Sequence, residues 1–380
     1  MNPRRAVTLA SVAGGRDNNF NLIRMIAASG VLVSHAFPIA LGLGTPQPLQ
    51  AATGLTLGLI CVAIFFALSG FLITRSFDRT ALIEDWFAAR IARLFPGLIV
   101  VSLLIALLYG PVFTTLTTAE YFGQPQTYTY VPRNVTLVSL QFGLPGVFLD
   151  LPYPEAINGS LWTLVHEVAC YFGVFLAGII GALASRRLFA VLCALYAAAY
   201  IVTGLPEVAA LLPAKLVPLR MLSYPFLVGM ALYVWRDNIR LSWLLAGGLL
   251  LLTAALRQTL LFEPVLILAV AYTTFVLAYR PGGIVRRYNA LGDYSYGMYV
   301  YAFPVQQAAV ALAGPMTPLQ NMAVAFPITL ACSVASWYLI EKPSLARRHG
   351  MARILGFRRR DRDAAMAETA QVSVARSPQD

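Results

Sequence analysis

Charged residues are scarce in this chain of 380 residues: Asp, Glu, Lys and Arg make up 12% of it, whereas apolar residues make up 58%. Soluble domains average about 25% charged and about 45–50% apolar residues. So little charge cannot cover a soluble globule of this size, and the apolar content excludes disorder over most of the chain. The composition therefore predicts a single polytopic membrane bundle.

Cysteine pairs and nucleotide-binding loops are absent from the sequence. The four cysteines lie in apolar runs and form no CxxC pair: Cys61, Cys170, Cys193 and Cys332. This pattern supports neither a disulfide framework nor a thiolate metal site. No glycine-rich loop carries a lysine, so a P-loop ATPase is not supported. No ligand spacing is typical of a metal centre, and we expect no metal.

Long apolar runs, by contrast, are abundant. A spanning helix needs about 20 mostly apolar residues. Ten runs fit, the fifth and seventh being short: 20–42, 54–75, 94–111, 161–182, 188–204, 217–235, 241–256, 262–279, 291–312 and 321–340. The sequence thus predicts an all-α membrane protein, a bundle of about ten transmembrane helices. We divide it into an N-terminal segment 1–19, a ten-helix domain 20–342 with a long connection at 112–160, and a basic, partly disordered tail 343–380.

Basic residues alternate along the connections between these spans. Segments that carry Lys or Arg follow nearly neutral ones without a break, beginning with Arg4, Arg5 and Arg16 at the N-terminus. The positive-inside rule then predicts that both termini are cytoplasmic and that the connection 112–160 lies outside. The net charge of +11 belongs to the cytoplasmic face, where anionic lipid and anionic ligands are the expected partners. Nucleic acid is not needed to explain it.

Arg24 and His35 lie inside the first span, where ionisable groups are costly and usually face a cavity or a partner. They are eleven residues apart, about 20° from three full turns, so they share one helix face and lie about 16 Å apart along its axis. A neutral imidazole is the side chain best suited to accept a proton near pH 7. Two plainer interpretations stay open: Arg24 as an interfacial residue and His35 as a hydrogen-bond partner of another helix.

Arg90 and Arg93 stand in DWFAARIARLFP, just before the predicted third span. A spacing of three places them on one helix face, and two guanidiniums at the cytoplasmic boundary suit a polyphosphate. Arg75 ends the second span and is placed to join them. The alternative is that all three are ordinary positive-inside charge.

Glu167 lies in NGSLWTLVHEVACYF at the outer end of the fourth span. A carboxylate there can orient an imidazole, hold a sugar hydroxyl or pair with an arginine. His166 points about 100° away around the helix, so the two side chains cannot enter one narrow site. We assign Glu167 to the site and expect His166 to face another helix or the mouth of the bundle.

Ser69 and Gly70 stand in VAIFFALSGFLI on the second span. Small residues at such a position are typical of close helix packing. Ser69 lacks the G-x-S-x-G context of a serine nucleophile. We therefore interpret the pair as a packing feature.

Six blocks in order resemble the bacterial acyltransferase-3 family of membrane O-acyltransferases. They are Arg24 followed after ten residues by His35, FFALSGFLI at 65–73, RIARLFP at 90–96, SLWTLVHEVACYF at 160–172, LGDYSYGMYVYAFP at 291–304 and YLIEKP at 338–343. Any one block alone is weak, but six in order across nearly the whole chain are specific.

The resemblance implies a ten-helix protein of the bacterial inner membrane. Such a protein moves an acyl group, often acetyl, from cytoplasmic acyl-coenzyme A to a hydroxyl of an extracytoplasmic carbohydrate or glycosylated acceptor. It implies that His35 is the essential histidine, with Arg24 its basic companion, and that Glu167 is the acid of the Trp-Ser-Leu-x-x-Glu stretch. Two departures are Thr163, which replaces the usual Ser, and Phe303, which stands where many members have His; no second histidine role is assigned.

The resemblance also matches Arg90 and Arg93 to the arginine pair before the third helix. We expect these two, with Arg75, to hold the phosphates of acyl-coenzyme A, while the pantetheine arm runs up the first span past Arg24. His35 then acts as a general base or through a covalent acyl-histidine.

In this scheme Glu167 orients either His35 or the acceptor. The main alternative function is a secondary transporter or flippase for a glycolipid or small anion. A polyprenyl-phosphate glycosyltransferase is disfavoured because 43–53 contains no Asp or Glu.

Overall fold

The computed structural model describes residues 7–15, 17–348 and 350. Within that part of the chain all regular elements are helices, and two isolated β-bridges join Thr8 to Arg240 and Thr114 to Val147. The all-α prediction is confirmed. Most of the predicted basic tail, with residues 349 and 351–380, lies outside the described residues.

Ten helices of 13 or more residues occur in the described ranges. They are α1 Phe20–Leu41, α2 Leu57–Arg79, α3 Ile83–Leu104, α4 Trp162–Ile179, α5 Arg186–Val202, α6 Leu216–Val234, α7 Trp243–Ala255, α8 Phe262–Tyr279, α9 Ser295–Ala313 and α10 Pro318–Ser336. Several begin at a hydroxyl side chain that accepts a backbone N–H, as Thr56 does for α2 and Thr317 for α10. Such caps satisfy amide groups that have no partner inside the helix.

Shorter helices complete the described elements. They are Leu9–Ala13, Gln50–Thr53, the π-helix Ile105–Tyr109, Gly110–Phe113, Thr118–Gly123, Pro125–Thr136, the 3-10 helix Gly159–Leu161, Pro206–Ala209, Ile284–Arg287, the 3-10 helix Tyr288–Ala290, the π-helix Trp337–Glu341 and Lys342–Ala346.

Seven of the ten long helices, some with a short helical extension, are long and apolar enough to cross a membrane: α1, α2, α3, α4, α6, α8 and α10. The chain is therefore a multi-span membrane protein. Helices α5 and α7 have only 17 and 13 residues, fewer than the roughly 20 that a perpendicular crossing takes. A long helix thus lies at each of the ten predicted spans. That α5, α7 and α9 also cross the membrane, which would give ten spans, stays a prediction.

Helix α3 begins earlier than the sequence suggested. It starts at Ile83, so Arg90 and Arg93 lie well inside a helix, which corrects the expectation that they precede it. Glu84 and Asp85 occupy its first turn, where acidic side chains interact favourably with the helix dipole. The charged stretch resembled a connection, but it forms the first turns of α3.

Helix α9 is the central helix of the bundle. Its residues 295–310 are all buried, and it packs between α1 and α10. The buried Gln306 amide links it to both of them: Nε2 donates to Leu32 O of α1 and to Asn321 Oδ1 of α10, both at 2.9 Å. Enclosure by other segments allows α9 to carry buried polar side chains, Gln306 and Gln307 among them, because its neighbours supply hydrogen-bond partners.

Helices α2 and α6 cross at small residues. A Cβ added to Gly70 would overlap Phe226 O of α6, and one added to Gly229 would overlap Ala67 O of α2. Only glycine permits this close backbone approach. The packing interpretation of Gly70 is therefore confirmed.

The long connection between α3 and α4 is folded rather than extended. Thr117 and Glu120 form a capping box at the start of its helix Thr118–Gly123. The buried Tyr121 hydroxyl donates to Ala106 O in the π-helix Ile105–Tyr109 that follows α3, which attaches the connection to the bundle. Residues of this connection line the larger of two cavities described next.

Candidate functional site

Two cavities lie inside the bundle. The first, the large cavity, has a volume of about 990 Å³ and lies where α1 ends, against the connection between α3 and α4. Its wall includes His35, Trp162 and Phe303, with Gln124 and Gln141 from the connection. Amide and aromatic side chains around such a volume suit a ligand with many hydroxyl groups.

The second, the small cavity, has a volume of about 60 Å³ and lies nearer the start of α1. It is lined by Arg24, Ser69, Arg93, Glu167 and Tyr171, together with apolar side chains. Charged groups enclosed by membrane-spanning helices are costly, so a small cavity that collects several of them indicates a functional site.

His35 faces the large cavity from α1. Its ring stands edge-on to Phe303 of α9, with the centroids 5.3 Å apart. The Nδ1 atom is buried, and no described residue hydrogen-bonds to it. The alternative in which His35 only forms a hydrogen bond to another helix does not fit, because a buried ring nitrogen in that role has a partner.

Glu167 projects from α4 into the small cavity instead. Its Oε1 accepts hydrogen bonds from Tyr171 at 2.5 Å and from Ser69 of α2 at 3.2 Å. Among the described residues, no hydrogen bond joins Glu167 to His35, and the two side chains line different cavities. The expected carboxylate–imidazole contact is therefore absent from the described structure.

His166, the neighbour of Glu167, turns back on its own helix. Its Nδ1 lies 2.9 Å from Trp162 O, and its ring stands edge-on to the Trp162 ring. It lines neither cavity.

Arg24 and Arg93 share one acid. Each donates to Asp293 Oδ2 at 2.7 Å, and Arg93 also donates to Glu341 Oε2 at 3.3 Å. Ser295 donates to the other oxygen of Asp293. The Arg side chains are 18% exposed, Asp293 11% and Glu341 1%. These ion pairs are therefore largely removed from solvent, where the loss of one partner leaves a costly unpaired charge.

The other two predicted donor-binding arginines differ in their surroundings. Arg90 lies over the Trp86 ring and donates to Ser76 at 3.4 Å, while its buried Nη1 has no hydrogen-bond partner among the described residues. Arg75 donates to Gly14 O at 3.0 Å, and neither Arg75 nor Arg90 lines either of the two cavities. The structure thus brings Arg24 and Arg93 together in the wall of the small cavity and leaves Arg75 and Arg90 outside it.

Sequence reasoning missed Asp293, Glu341 and Tyr171 as members of this site. The two acids lie in the LGDYSYG and YLIEKP blocks, so both were visible within or at the edge of apolar runs. Applying the rule that acids near spans seek a partner to Asp293 and Glu341, as to Glu167, would have selected them. Tyr171 has no comparable signal, because its role depends on the neighbouring Glu167.

The fold and the two cavities define a membrane protein that encloses polar sites between its spans. Comparison with known protein families identifies the family of this membrane protein. The profile of the acyltransferase-3 family, described as an acyltransferase domain, matches residues 17–341. The chain belongs to this family, as the six sequence blocks predicted, and it is a membrane O-acyltransferase.

Two curated proteins are similar to it. An O-acetyl transferase of Shigella phage Sf6 is 29% identical over 341 residues, which cover 87% of this chain and 97% of that protein. Nodulation protein 10 of Rhizobium leguminosarum bv. viciae is 31% identical over 161 residues, 42% of this chain and 43% of that protein. No solved structure matches the chain significantly.

Proposed function

We propose that this enzyme transfers an acetyl group from cytoplasmic acetyl-coenzyme A to a hydroxyl of a carbohydrate or glycosylated acceptor outside the bacterial inner membrane. The observation that carries the proposal is the half-buried His35 imidazole, which faces a cavity of about 990 Å³ and whose buried Nδ1 has no described hydrogen-bond partner. A relative named O-acetyl transferase that aligns over 97% of its length supports acetyl as the group.

The orientation follows from the distribution of charge. Arg24, Arg90 and Arg93 lie towards the end of the bundle where α1 begins, which the positive-inside rule assigns to the cytoplasm. The large cavity then opens on the opposite side, under the weakly charged connection between α3 and α4. In this orientation the donor enters at the arginines and the acceptor enters the large cavity.

The arginines supply the attraction for the donor. Guanidinium groups bind phosphate oxygens through paired hydrogen bonds, and the unpartnered Nη1 of Arg90 is available for such a bond. Arg93 and Arg24 already share Asp293, so the surface that they form carries both positive and negative charge. Arg75 contributes only long-range attraction.

The transfer step needs one base. The acceptor oxygen attacks the thioester carbonyl carbon while its proton passes to the His35 imidazole. The tetrahedral intermediate collapses with cleavage of the C–S bond, and the departing thiolate takes that proton back as coenzyme A thiol. The products are an acyl ester and coenzyme A, and such base catalysis is worth about 10²–10⁴-fold.

Glu167 acts on the donor in this scheme, a role that replaces the one first expected for it. Its carboxylate is fixed by Ser69 and Tyr171 inside the small cavity, between the arginines and the His35 cavity. A fixed carboxylate there accepts a hydrogen bond from an amide N–H of the pantetheine arm and so positions the thioester.

The test is release of coenzyme A by the purified full-length protein supplied with radiolabelled acetyl-coenzyme A and a bacterial surface polysaccharide fraction. We expect label in the polysaccharide and equimolar free thiol, and a fall of about 10²–10⁴-fold in His35→Ala. His166→Ala is the matched control, since that imidazole is bound to its own helix, and should retain activity. Full turnover in His35→Ala refutes the base, and absence of thiol release by the wild-type protein favours a transporter.

A further inference from the structure

The two cavities meet at three side chains from three helices. Of the described residues, Val62 of α2, Thr163 of α4 and Tyr299 of α9 line both the large cavity and the small cavity. We call these three residues the neck. They are 5%, 4% and 8% exposed, so the neck is enclosed by protein.

One wall of the neck is fixed by hydroxyl groups. Thr163 Oγ1 and Tyr299 OH are 2.6 Å apart, and Tyr299 OH also donates to Ser160 O at 3.1 Å. These bonds hold α4 and α9 together where the cavities meet. The third neck residue, Val62, adds a branched side chain from α2, whose χ1 angle is restricted.

We propose that the neck is the acyl-selectivity filter of this enzyme: it admits unbranched acyl groups and excludes acyl groups branched next to the carbonyl. The inference rests on the proposed function, in which the donor comes from the arginine side and its thioester reaches His35. The acyl group is the leading end of the donor, so it passes the neck before the thioester does.

The width of the acyl group, rather than its length, decides whether it passes through the neck. An unbranched chain presents one methylene at a time, whereas an α-branched acyl group presents two methyl groups beside the carbonyl. Protein interiors are close-packed and resist added volume. The large cavity beyond is too roomy, at about 990 Å³, to distinguish these groups.

The experiment measures kcat/KM for acetyl-coenzyme A and isobutyryl-coenzyme A with the full-length protein in membranes. One misfitting methyl group is worth about 10–200-fold in discrimination. We therefore expect the wild-type protein to use isobutyryl-coenzyme A at least about tenfold less well than acetyl-coenzyme A. Butyryl-coenzyme A has the same number of acyl carbons as isobutyryl-coenzyme A but no branch, so it measures the effect of chain length separately.

Val62→Ala removes two methyl groups from the neck, and we expect the ratio of isobutyryl to acetyl activity to rise about tenfold or more. Val31→Ala is the matched control: it removes the same two methyl groups from a residue that is 2% exposed and lines only the large cavity. Its ratio should stay at the wild-type value. Val62→Thr preserves the shape of the side chain and should preserve the ratio as well.

Tyr299→Phe provides a second variant if Val62→Ala does not fold. It removes the hydroxyl that joins α9 to Thr163 and should raise the same ratio. An unchanged ratio in the folded variants, an equal rise in Val31→Ala, or wild-type use of isobutyryl-coenzyme A as fast as acetyl-coenzyme A would each overturn the filter. Absence of acetyl-coenzyme A turnover in the wild-type protein would instead overturn the proposed function.

Discussion

Arg24 of α1 and Arg93 of α3 donate to the same carboxylate oxygen, Asp293 Oδ2, at equal distances of 2.7 Å. One acid at the start of α9 therefore joins two helices. Glu341 adds a further contact to Arg93. The positive charge at this end of the bundle is thus partly neutralised inside the protein.

Asp293→Asn should destabilise the protein, because it leaves two guanidiniums without their shared charge. Removing one partner of a buried ion pair costs about 3–5 kcal/mol, and the partial exposure of this network places the expected loss at the lower end. Asp237→Asn is the control, since Asp237 pairs with Arg186 and both side chains are about half exposed; such pairs are worth about 0–1 kcal/mol. Equal shifts of the unfolding midpoint in detergent would contradict the prediction.

Arg90→Gln should weaken acetyl-coenzyme A binding by about tenfold or more, because hydrogen bonds to a charged group are worth about 1.5–3 kcal/mol. Arg75→Gln is the comparison, since the Arg75 guanidinium is bound to Gly14 O, whereas the buried Nη1 of Arg90 has no hydrogen-bond partner among the described residues. Titration calorimetry with the purified protein measures both dissociation constants. Equal losses would indicate a general charge effect rather than a specific phosphate contact.

Tyr171→Phe should reduce kcat/KM for acetyl-coenzyme A by about tenfold, because Glu167 loses a charge-assisted hydrogen bond that fixes its carboxylate. Tyr196→Phe removes a comparable hydroxyl, which lies 2.7 Å from Ser223 Oγ and does not line the small cavity. That control should leave kcat/KM near the wild-type value. A similar loss in both variants would mean that the effect is structural.

Gly229→Ala should destabilise the bundle, since the added methyl group meets the backbone of α2 at Ala67. Overpacking of this kind costs about 1–3 kcal/mol. Gly248→Ala on α7 is the control: its Cβ has no neighbour within 4 Å, and alanine gains about 1 kcal/mol of helix propensity. The unfolding midpoints of the two variants should therefore move in opposite directions.

Much of the fold was predictable because a spanning helix is a local signal of length and apolarity. The predicted runs 20–42 and 262–279 end within one residue of α1 and α8. The start of α3 was missed because Arg90 and Arg93 made a helical stretch resemble a connection. Local composition cannot distinguish a charged loop from the charged end of a helix.

The site was less predictable, since it depends on which helices meet. The sequence singled out His35 and Glu167 as ionisable groups inside spans, and each lines a cavity, but it could not show that the two cavities are different. The partners of Arg24 and Arg93 lie 200 or more residues away, and no spacing rule spans such a distance. The neck combines α2, α4 and α9 and was likewise invisible before packing was known.

The same long separations have a consequence for biogenesis. Arg24 precedes Asp293 by 269 residues, and Arg93 precedes Glu341 by 248, so the ribosome delivers both cations long before either anion. Until Asp293 and Glu341 have been synthesised, these guanidiniums lack the carboxylates that pair with them in the folded bundle. Final closure of this end of the enzyme therefore waits for nearly complete translation, and a nascent chain halted before Asp293 would leave the membrane with unmatched charge.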